Sequence, residues 1–127
     1  MAYYFSKTVD LPFQSAVDKT IAVLKARGFG VLTRIDVQST LREKIGAEFR
    51  PYIILGACNP KMAHEALQAE DKIGTMLPCN VVIQEIDGRT EVAAVDPLAS
   101  MQAVPNKSLA TIAAKVGDEL KAAVEEI

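Results

Sequence analysis

The sequence predicts an α+β fold in which helices pack on a mostly antiparallel sheet, in the order β-α-β-α-β-α-β-β-α. Residues 29–35 alternate in the way of a half-buried strand, and Asp87-Gly88 between two apolar runs is a hairpin signal. Near the C-terminus, apolar residues recur at steps of three and four, which is the spacing of an amphipathic helix. The hairpin argues against a fully parallel sheet.

The first half of the chain predicts strands and helices in alternation. Residues 2–9 form a strand, and a helix follows from Pro12 to a cap at Gly28. The strand over residues 29–35 comes next, with one buried face predicted for the set Phe29, Val31, Thr33 and Ile35.

A short helix then runs from a cap at Asp36 to Gly46. The run from Tyr52 to Leu55 shows no alternation, so it suits a central strand covered on both faces, or one that faces a dimer partner.

The second half begins with the most informative stretch, residues 51–81. Asn59 and Pro60 predict the start of a helix that ends near Ala69, with Ala63 and Leu67 on its inward side. Residues 72–77 are a connection, and residues 79–86 and 90–95 are the two strands of the hairpin. Residues 97–105 are a loop or short turn, and the last helix is capped by Asn106 or Ser108.

Length and composition place the chain among folded globular proteins. Its 127 residues suit one domain over 1–127, and half of them are hydrophobic. A net charge of −2 without a basic cluster argues against a nucleic-acid partner. No apolar run is long enough for a membrane span, and the N-terminus lacks signal-peptide features. The two cysteines are expected to be free thiols and not a structural disulfide. The sequence therefore predicts a cytoplasmic protein without a membrane partner.

The chain also resembles a bacterial and archaeal family, the domain of unknown function 302 (DUF302), over about residues 3–125. The blocks around the two cysteines are the most specific part of the likeness. The residues that carry it are Gly28-Phe29-Gly30-Val31, Ile35-Asp36-Val37, Leu55-Gly56-Ala57-Cys58-Asn59-Pro60, Ala66-Leu67, Gly74, Leu77-Pro78-Cys79-Asn80-Val81-Val82 and Asp96-Pro97. The resemblance implies a single compact α+β domain that is dimeric. It implies no general activity and no catalytic residues.

The cysteine pair is the first candidate for chemistry. Cys58 lies at the end of one predicted strand before a helix N-terminus, and Cys79 at the start of another strand. A helix N-terminus favours a thiolate, so a redox pair, a metal site or a nucleophile would each use such a thiol. The spacing is not a CxxC motif and nothing completes a zinc set. The alternative is that both side chains are small buried hydrophobic groups.

A ligand pocket at the same end of the sheet is the second candidate. The backbone N–H groups at the helix start, the Lys61 side chain and Asn80 would receive a carboxylate or a phosphate there. The alternative is that the Asn59 side chain satisfies those donors by itself. The predicted ligand-binding residues are therefore Cys58, Asn59, Lys61, Cys79 and Asn80.

His64 and Asp96 are the remaining candidates. His64 is the only histidine, and a single histidine in an apolar slot suffices as an axial ligand to haem. The alternative for His64 is a solvated surface residue. Asp96 would be functional as a buried carboxylate near the thiols, and its alternative is a turn-forming role beside Pro97.

Three functional hypotheses follow from these candidates. The first is a non-enzymatic ligand-binding or interaction domain, a homodimer with a small-molecule ligand at the cysteine end of the sheet. The second is a haem-binding protein that uses His64, and the third is a thiol-redox protein that uses Cys58 and Cys79. The signatures of nucleotide enzymes, metalloproteases and serine hydrolases are absent from the sequence, which favours a role without catalysis.

Overall fold

A computed structural model, which describes residues 2–127, contains one five-stranded sheet. The strands are β1 (Tyr4–Val9), β2 (Gly30–Asp36), β3 (Tyr52–Cys58), β4 (Cys79–Ile86) and β5 (Arg89–Val95). Their order across the sheet is β1-β5-β4-β3-β2, and every neighbouring pair is antiparallel. The predicted α+β class with an antiparallel sheet is confirmed.

Five helices connect or follow the strands. They are α1 (Phe13–Ala26), α2 (Val37–Ile45), α3 (Pro60–Ala69), α4 (Pro97–Ser100) and α5 (Lys107–Glu126). The predicted order of elements is confirmed, with two additions in segments predicted as connections. A 3-10 helix spans Asp71–Met76, and α4 lies in the segment predicted as a loop after β5.

One face of the sheet carries the main core. Helices α1 and α5 pack there, because each presents an apolar stripe at helical spacing to the strands. The inward residues of the central strands meet these stripes. The fully buried members of this core include Val17, Leu24, Leu55, Val81, Ile83, Val92 and Leu120. An ion pair between Arg27, after α1, and Glu119 of α5, at 3.0 Å, joins the two helices at the surface.

A second, smaller cluster joins α3, the 3-10 helix and the segment after α4 to the N-terminal half of α5. Its buried members are Ala66, Ile73, Met101, Leu109 and Ala113. The inward side of α3 is therefore formed by Met62, Ala63 and Ala66. The prediction that Leu67 points inward is wrong, since its side chain is 43% exposed. Relative to the predicted stripe, the buried position in this turn of α3 is Ala66 and not Leu67, because Ala66 packs in the second cluster.

Strand β2 departs from the regular alternation that the sequence predicts. The register shifts between Val31 and Thr33, so that Val31 pairs with Ala57 and Thr33 pairs with Gly56. This bulge moves Thr33 and Ile35 to the face opposite to Phe29 and Val31. The prediction that all four share one buried face is wrong, because one extra residue in a strand inverts the residues that follow.

The other face of the sheet carries a row of apolar side chains that α1 and α5 do not cover. Ile35 pairs with Ile54, Ile54 with Val82, and Val82 with Ala93 across four neighbouring strands. Ile35 is 46% exposed, and the other three are half-buried. Strand β3 lies second from the edge of the sheet, and α1 and α5 cover only one of its faces, so the predicted central strand covered on both faces is not what the structure shows. The alternative, a strand that faces a dimer partner, stays a prediction.

Gly56 in β3 marks a close approach between the sheet and the segment before β4. A Cβ atom at this position would lie 2.1 Å from Thr33 Oγ1 and 2.7 Å from Pro78 Cγ. The Thr33 side chain can rotate away, whereas the Pro78 ring cannot move without its backbone. Glycine at position 56 therefore lets Pro78 pack directly on the sheet beside Cys79.

We expect Gly56→Ala to lower the free energy of unfolding by about 1–3 kcal/mol, because the added methyl group overpacks the site against Pro78. Gly30→Ala in the neighbouring strand is the matched control, since a Cβ there has nothing within 4 Å. Its effect should stay within about 0.5 kcal/mol. Urea unfolding followed by circular dichroism measures both, and equal values for the two variants would contradict the close approach.

Candidate functional site

The pairing of β3 with β4 brings the two cysteines to one end of the sheet. Ala57 lies opposite Cys79, and Cys58 is the next residue along β3. Because the strands are antiparallel, the chain leaves β3 and enters β4 at the same edge. The predicted meeting of the two cysteine segments therefore occurs in the structure.

Asn59 shapes the start of α3 directly after Cys58. Its side-chain Oδ1 accepts a hydrogen bond from the backbone N–H of Met62 at 3.2 Å, and Pro60 occupies the first turn. The Asn59 amide also packs on Gly28, where a Cβ atom would lie 3.3 Å from Nδ2. Gly28 has a φ of +85°, which glycine adopts without strain. The sequence offered the alternative that Asn59 satisfies the free N–H groups at the helix start by itself. The structure supports this for one of these groups, the N–H of Met62.

A small cavity lies between this end of the sheet and the helices. Its volume is about 30 Å³ and its lining is almost entirely apolar. The lining comes from the residue before β2, the end of β3, α3, the segment before β4 with the first residue of β4, α4 with the residue after it, and α5. It includes Phe29, Cys58, Met62, Ala63, Pro78, Cys79, Met101 and Val116.

Both cysteines are free thiols and both line this cavity. Cys58 is half-buried, and Cys79 is buried within the main core cluster. Burial, and to a smaller extent the nearby Cys58 thiol, raise the pKa of the Cys79 thiol to about 11. Cys79 is therefore a neutral thiol at pH 7 in the free protein, which makes it a poor nucleophile.

Two residues of the predicted set lie outside the cavity. Lys61 is exposed on α3, and Asn80 is exposed in a groove of about 420 Å³ on the opposite face of the sheet. Cys79 and Asn80 point to opposite faces because side chains alternate along a strand. The structure therefore brings Cys58, Asn59 and Cys79 together and separates them from Lys61 and Asn80.

His64 is exposed on α3 and does not line the cavity. A haem held by His64 would have to lie outside a cavity of about 30 Å³, so the haem hypothesis stays a prediction without support from this geometry. Asp96 caps the short helix α4, since its Oδ1 accepts a hydrogen bond from Leu98 N–H at 3.1 Å. The turn-forming alternative predicted for Asp96 is therefore confirmed.

Several cavity residues were not part of the predicted site. Phe29 precedes β2, Met101 follows α4, and Ile112 and Val116 lie on α5. In the sequence, these residues are marked only by apolar character at helical or strand spacing. Such spacing predicts that a residue is buried, but it does not predict which residues of other elements it contacts. Met62 and Met101 line the same cavity as the two cysteines.

Two further observations limit the chemistry of the described residues. Over residues 2–127, no three side chains from His, Cys, Asp and Glu gather into a metal-binding group. Within the same range, no helix is long and apolar enough to cross a membrane.

Comparison with known proteins gives a family and a fold. A family model described as "Domain of unknown function DUF302" matches residues 5–127. The chain is similar to a crystal structure of an uncharacterized conserved DUF302 protein from Bacillus stearothermophilus. That structure has 28% sequence identity and a TM-score of 0.93, and the match covers 98% of each chain. No curated protein matches the chain.

Proposed function

The chain belongs to the DUF302 family, and we propose that it is a non-enzymatic binding domain whose small ligand enters the cavity beside Cys58 and Cys79. The chemistry of the lining carries this proposal. Among the described residues that line the cavity, none is a histidine, a carboxylate, a lysine or an arginine. General acid–base catalysis needs such a group within hydrogen-bond reach of the reacting atoms.

The thiols favour the same conclusion. A cysteine nucleophile requires a lowered pKa, whereas the pKa of Cys79 is raised to about 11 by burial. No imidazole lines the cavity to take the proton of Cys58. A cavity with weakly polar sulfur atoms and without proton donors or acceptors of suitable pKa supports binding over turnover.

The size of the cavity limits the ligand. A volume of about 30 Å³ suits a monatomic or very small apolar species unless α3 or α4 moves. Water is a poor occupant, because it needs two to four polar partners and sulfur is a weak hydrogen-bond acceptor.

We expect xenon to enter the cavity, because apolar cavities that exclude water bind it. With methionines labelled at their methyl carbons, xenon under pressure should shift the signals of Met62 and Met101 in a saturable way. The methyl signal of Met76, which is 38% exposed and lies outside the cavity, is the internal control.

Ala63→Leu places a larger side chain on the cavity wall and should abolish the shifts at Met62 and Met101. Ala22→Leu, at an exposed position of α1, is the matched control and should leave them unchanged. Shifts of equal size at all three methionines, or none at Met62 and Met101 in the wild type, would contradict a ligand-accessible cavity.

A homodimer is the second proposal, and the uncovered face of the sheet supports it. We use the name open face for the surface formed by Tyr4, Ile35, Tyr52, Ile54, Val82, Ala93 and Val95. Exposed apolar surfaces of this kind mark interaction sites. A second copy is the proposed occupant, because a twofold axis through the apolar row would match that row with itself.

Three polar side chains at the open face, Arg50, Gln84 and Glu91, are linked to one another within the chain. Arg50 Nε donates to Gln84 Oε1 at 2.9 Å, and Gln84 Nε2 donates to Glu91 Oε1 at 3.0 Å. The Arg50 guanidinium also stacks on Phe49, 4.4 Å from the ring centroid. Covering Gln84 and Glu91 in a dimer would therefore not strip both of hydrogen-bond partners, which lowers the desolvation cost at these two residues.

We expect the wild type to sediment at micromolar concentration as a dimer, at twice the 13.7 kDa mass of the chain. Ile54→Lys and Ile35→Lys should weaken association at least about 10-fold, since each buries an unpaired charge in the contact. Leu98→Lys, at an exposed position on α4, is the control. A monomeric wild type would contradict the dimer. An equal loss of association in the Leu98→Lys variant would contradict its placement on the open face.

A cytoplasmic location is also part of this proposal. Its support is that both cysteines are free thiols, which is typical of proteins in a reducing compartment.

A further inference from the structure

Sulfur is concentrated around the cavity. The chain has two cysteines and four methionines, and both cysteines line the cavity together with Met62 and Met101. The rest of the lining is carbon and backbone, apart from the amide of Asn59. Thiolates and thioethers are the soft ligands that select Cu(I), whereas oxygen ligands select Mg²⁺ and Ca²⁺.

We propose that the cavity is a binding site for Cu(I), held by the sulfur atoms of Cys58 and Cys79 and by the thioether of Met62. This inference rests on the proposed binding function and names its ligand. Zinc fits less well, because structural zinc takes four nitrogen, oxygen or thiolate ligands. Over residues 2–127, His, Cys, Asp and Glu supply no group of three such ligands.

Cys58, Cys79 and Met62 all line the cavity, and the local structure brings their backbones to the same end of the sheet. Cys79 pairs one residue away from Cys58, and the hydrogen bond from Met62 N–H to Asn59 fixes the first turn of α3 directly after Cys58. Met62 packs against the core cluster that contains Cys79. Met101 lies on the wall formed by the segment after α4 and is available as a further thioether.

The size and charge of the site suit a bare monovalent ion. A cavity of about 30 Å³ admits an ion without its water shell, and soft sulfur ligands replace that shell. Two thiolates around Cu(I) leave one net negative charge. Cys58 directly precedes the N-terminus of the ten-residue helix α3, whose partial positive charge stabilises an anion there.

The binding reaction involves no electron transfer. Two copper–sulfur bonds form at Cys58 and Cys79, the two S–H bonds break, and both protons pass to the solvent. Met62 donates a lone pair and loses no proton. Copper remains Cu(I) throughout, so the step needs no oxidant or reductant.

The test is an anaerobic titration of the reduced protein with Cu(I), in competition with a chromophoric Cu(I) chelator. We expect one Cu(I) per chain. Cys58→Ala and Cys79→Ala should each weaken binding by at least about 100-fold, because each removes a ligand, and Met62→Leu should weaken it about 10-fold. Met76→Leu is the matched control, since Met76 is exposed and lies outside the cavity.

A measurement on the wild type avoids dependence on variants that fail to fold. Ag(I) has the same charge and ligand preference as Cu(I) and is not redox-active under these conditions. In protein labelled at its methionine methyl groups, one equivalent of Ag(I) should shift Met62 and leave Met76 unchanged. A shift at Met76 alone, or binding of Cu(I) that survives both cysteine variants, would overturn the proposed ligand set.

The outcomes separate this inference from the binding function on which it rests. Saturable xenon shifts at Met62 and Met101 without Cu(I) or Ag(I) binding would overturn the copper site and leave the binding cavity standing. Absence of both xenon and metal effects would overturn the two proposals together. Stronger retention of Zn²⁺ than of Cu(I) in the same competition would overturn the choice of metal.

Discussion

The pairing of β3 with β4 is the interaction on which the rest of the structure depends. Its register sets Ala57 opposite Cys79, and it therefore fixes where the chain leaves one strand and enters the next. Helix α3 starts at one of these points and Pro78 packs at the other. A shift of this register by one residue would turn Cys79 away from the core, because successive side chains of a strand point to opposite faces. The cavity exists only in the observed register.

The sheet has two faces with different roles. One face is covered by α1 and α5 and holds the main core, while the other carries the apolar row from Ile35 to Ala93. The bulge in β2 contributes to this division, since it turns Ile35 outward after Val31 has packed inward. The cavity lies at the end of the covered face, so the proposed ligand site and the proposed dimer contact use separate surfaces.

The local features of this fold could be predicted from the sequence. Asp87 and Gly88 have φ values of +52° and +75° in the hairpin turn, as the Asp-Gly pair indicates. Asn59, Asp36 and Asn106 cap their helices with side-chain hydrogen bonds, as their positions before apolar periodic segments indicate. Each of these features depends on residues within about four positions of one another.

The features that could not be predicted depend on contacts between distant parts of the chain. The bulge at Leu32 follows from the pairing of β2 with β3, and an alternating pattern gives no sign of it. The rotation of α3 that exposes Leu67 follows from the packing of Ala66 against the second cluster. Met101 reaches the cavity because α4 and α5 return the chain to the cysteine end of the sheet. In sequence, Met101 is one apolar residue in a predicted loop.

The proposed copper site requires that Cys58 and Cys79 face one cavity. A monosubstituted trivalent arsenical, methylarsonous acid, tests it directly, because the arsenic bridges two thiols with loss of two waters only when the sulfur atoms are close together. Intact-mass measurement after dilution should show one stable adduct per chain, absent from Cys58→Ser and from Cys79→Ser. An adduct that persists in either variant, or none in the folded wild type, would contradict the shared cavity.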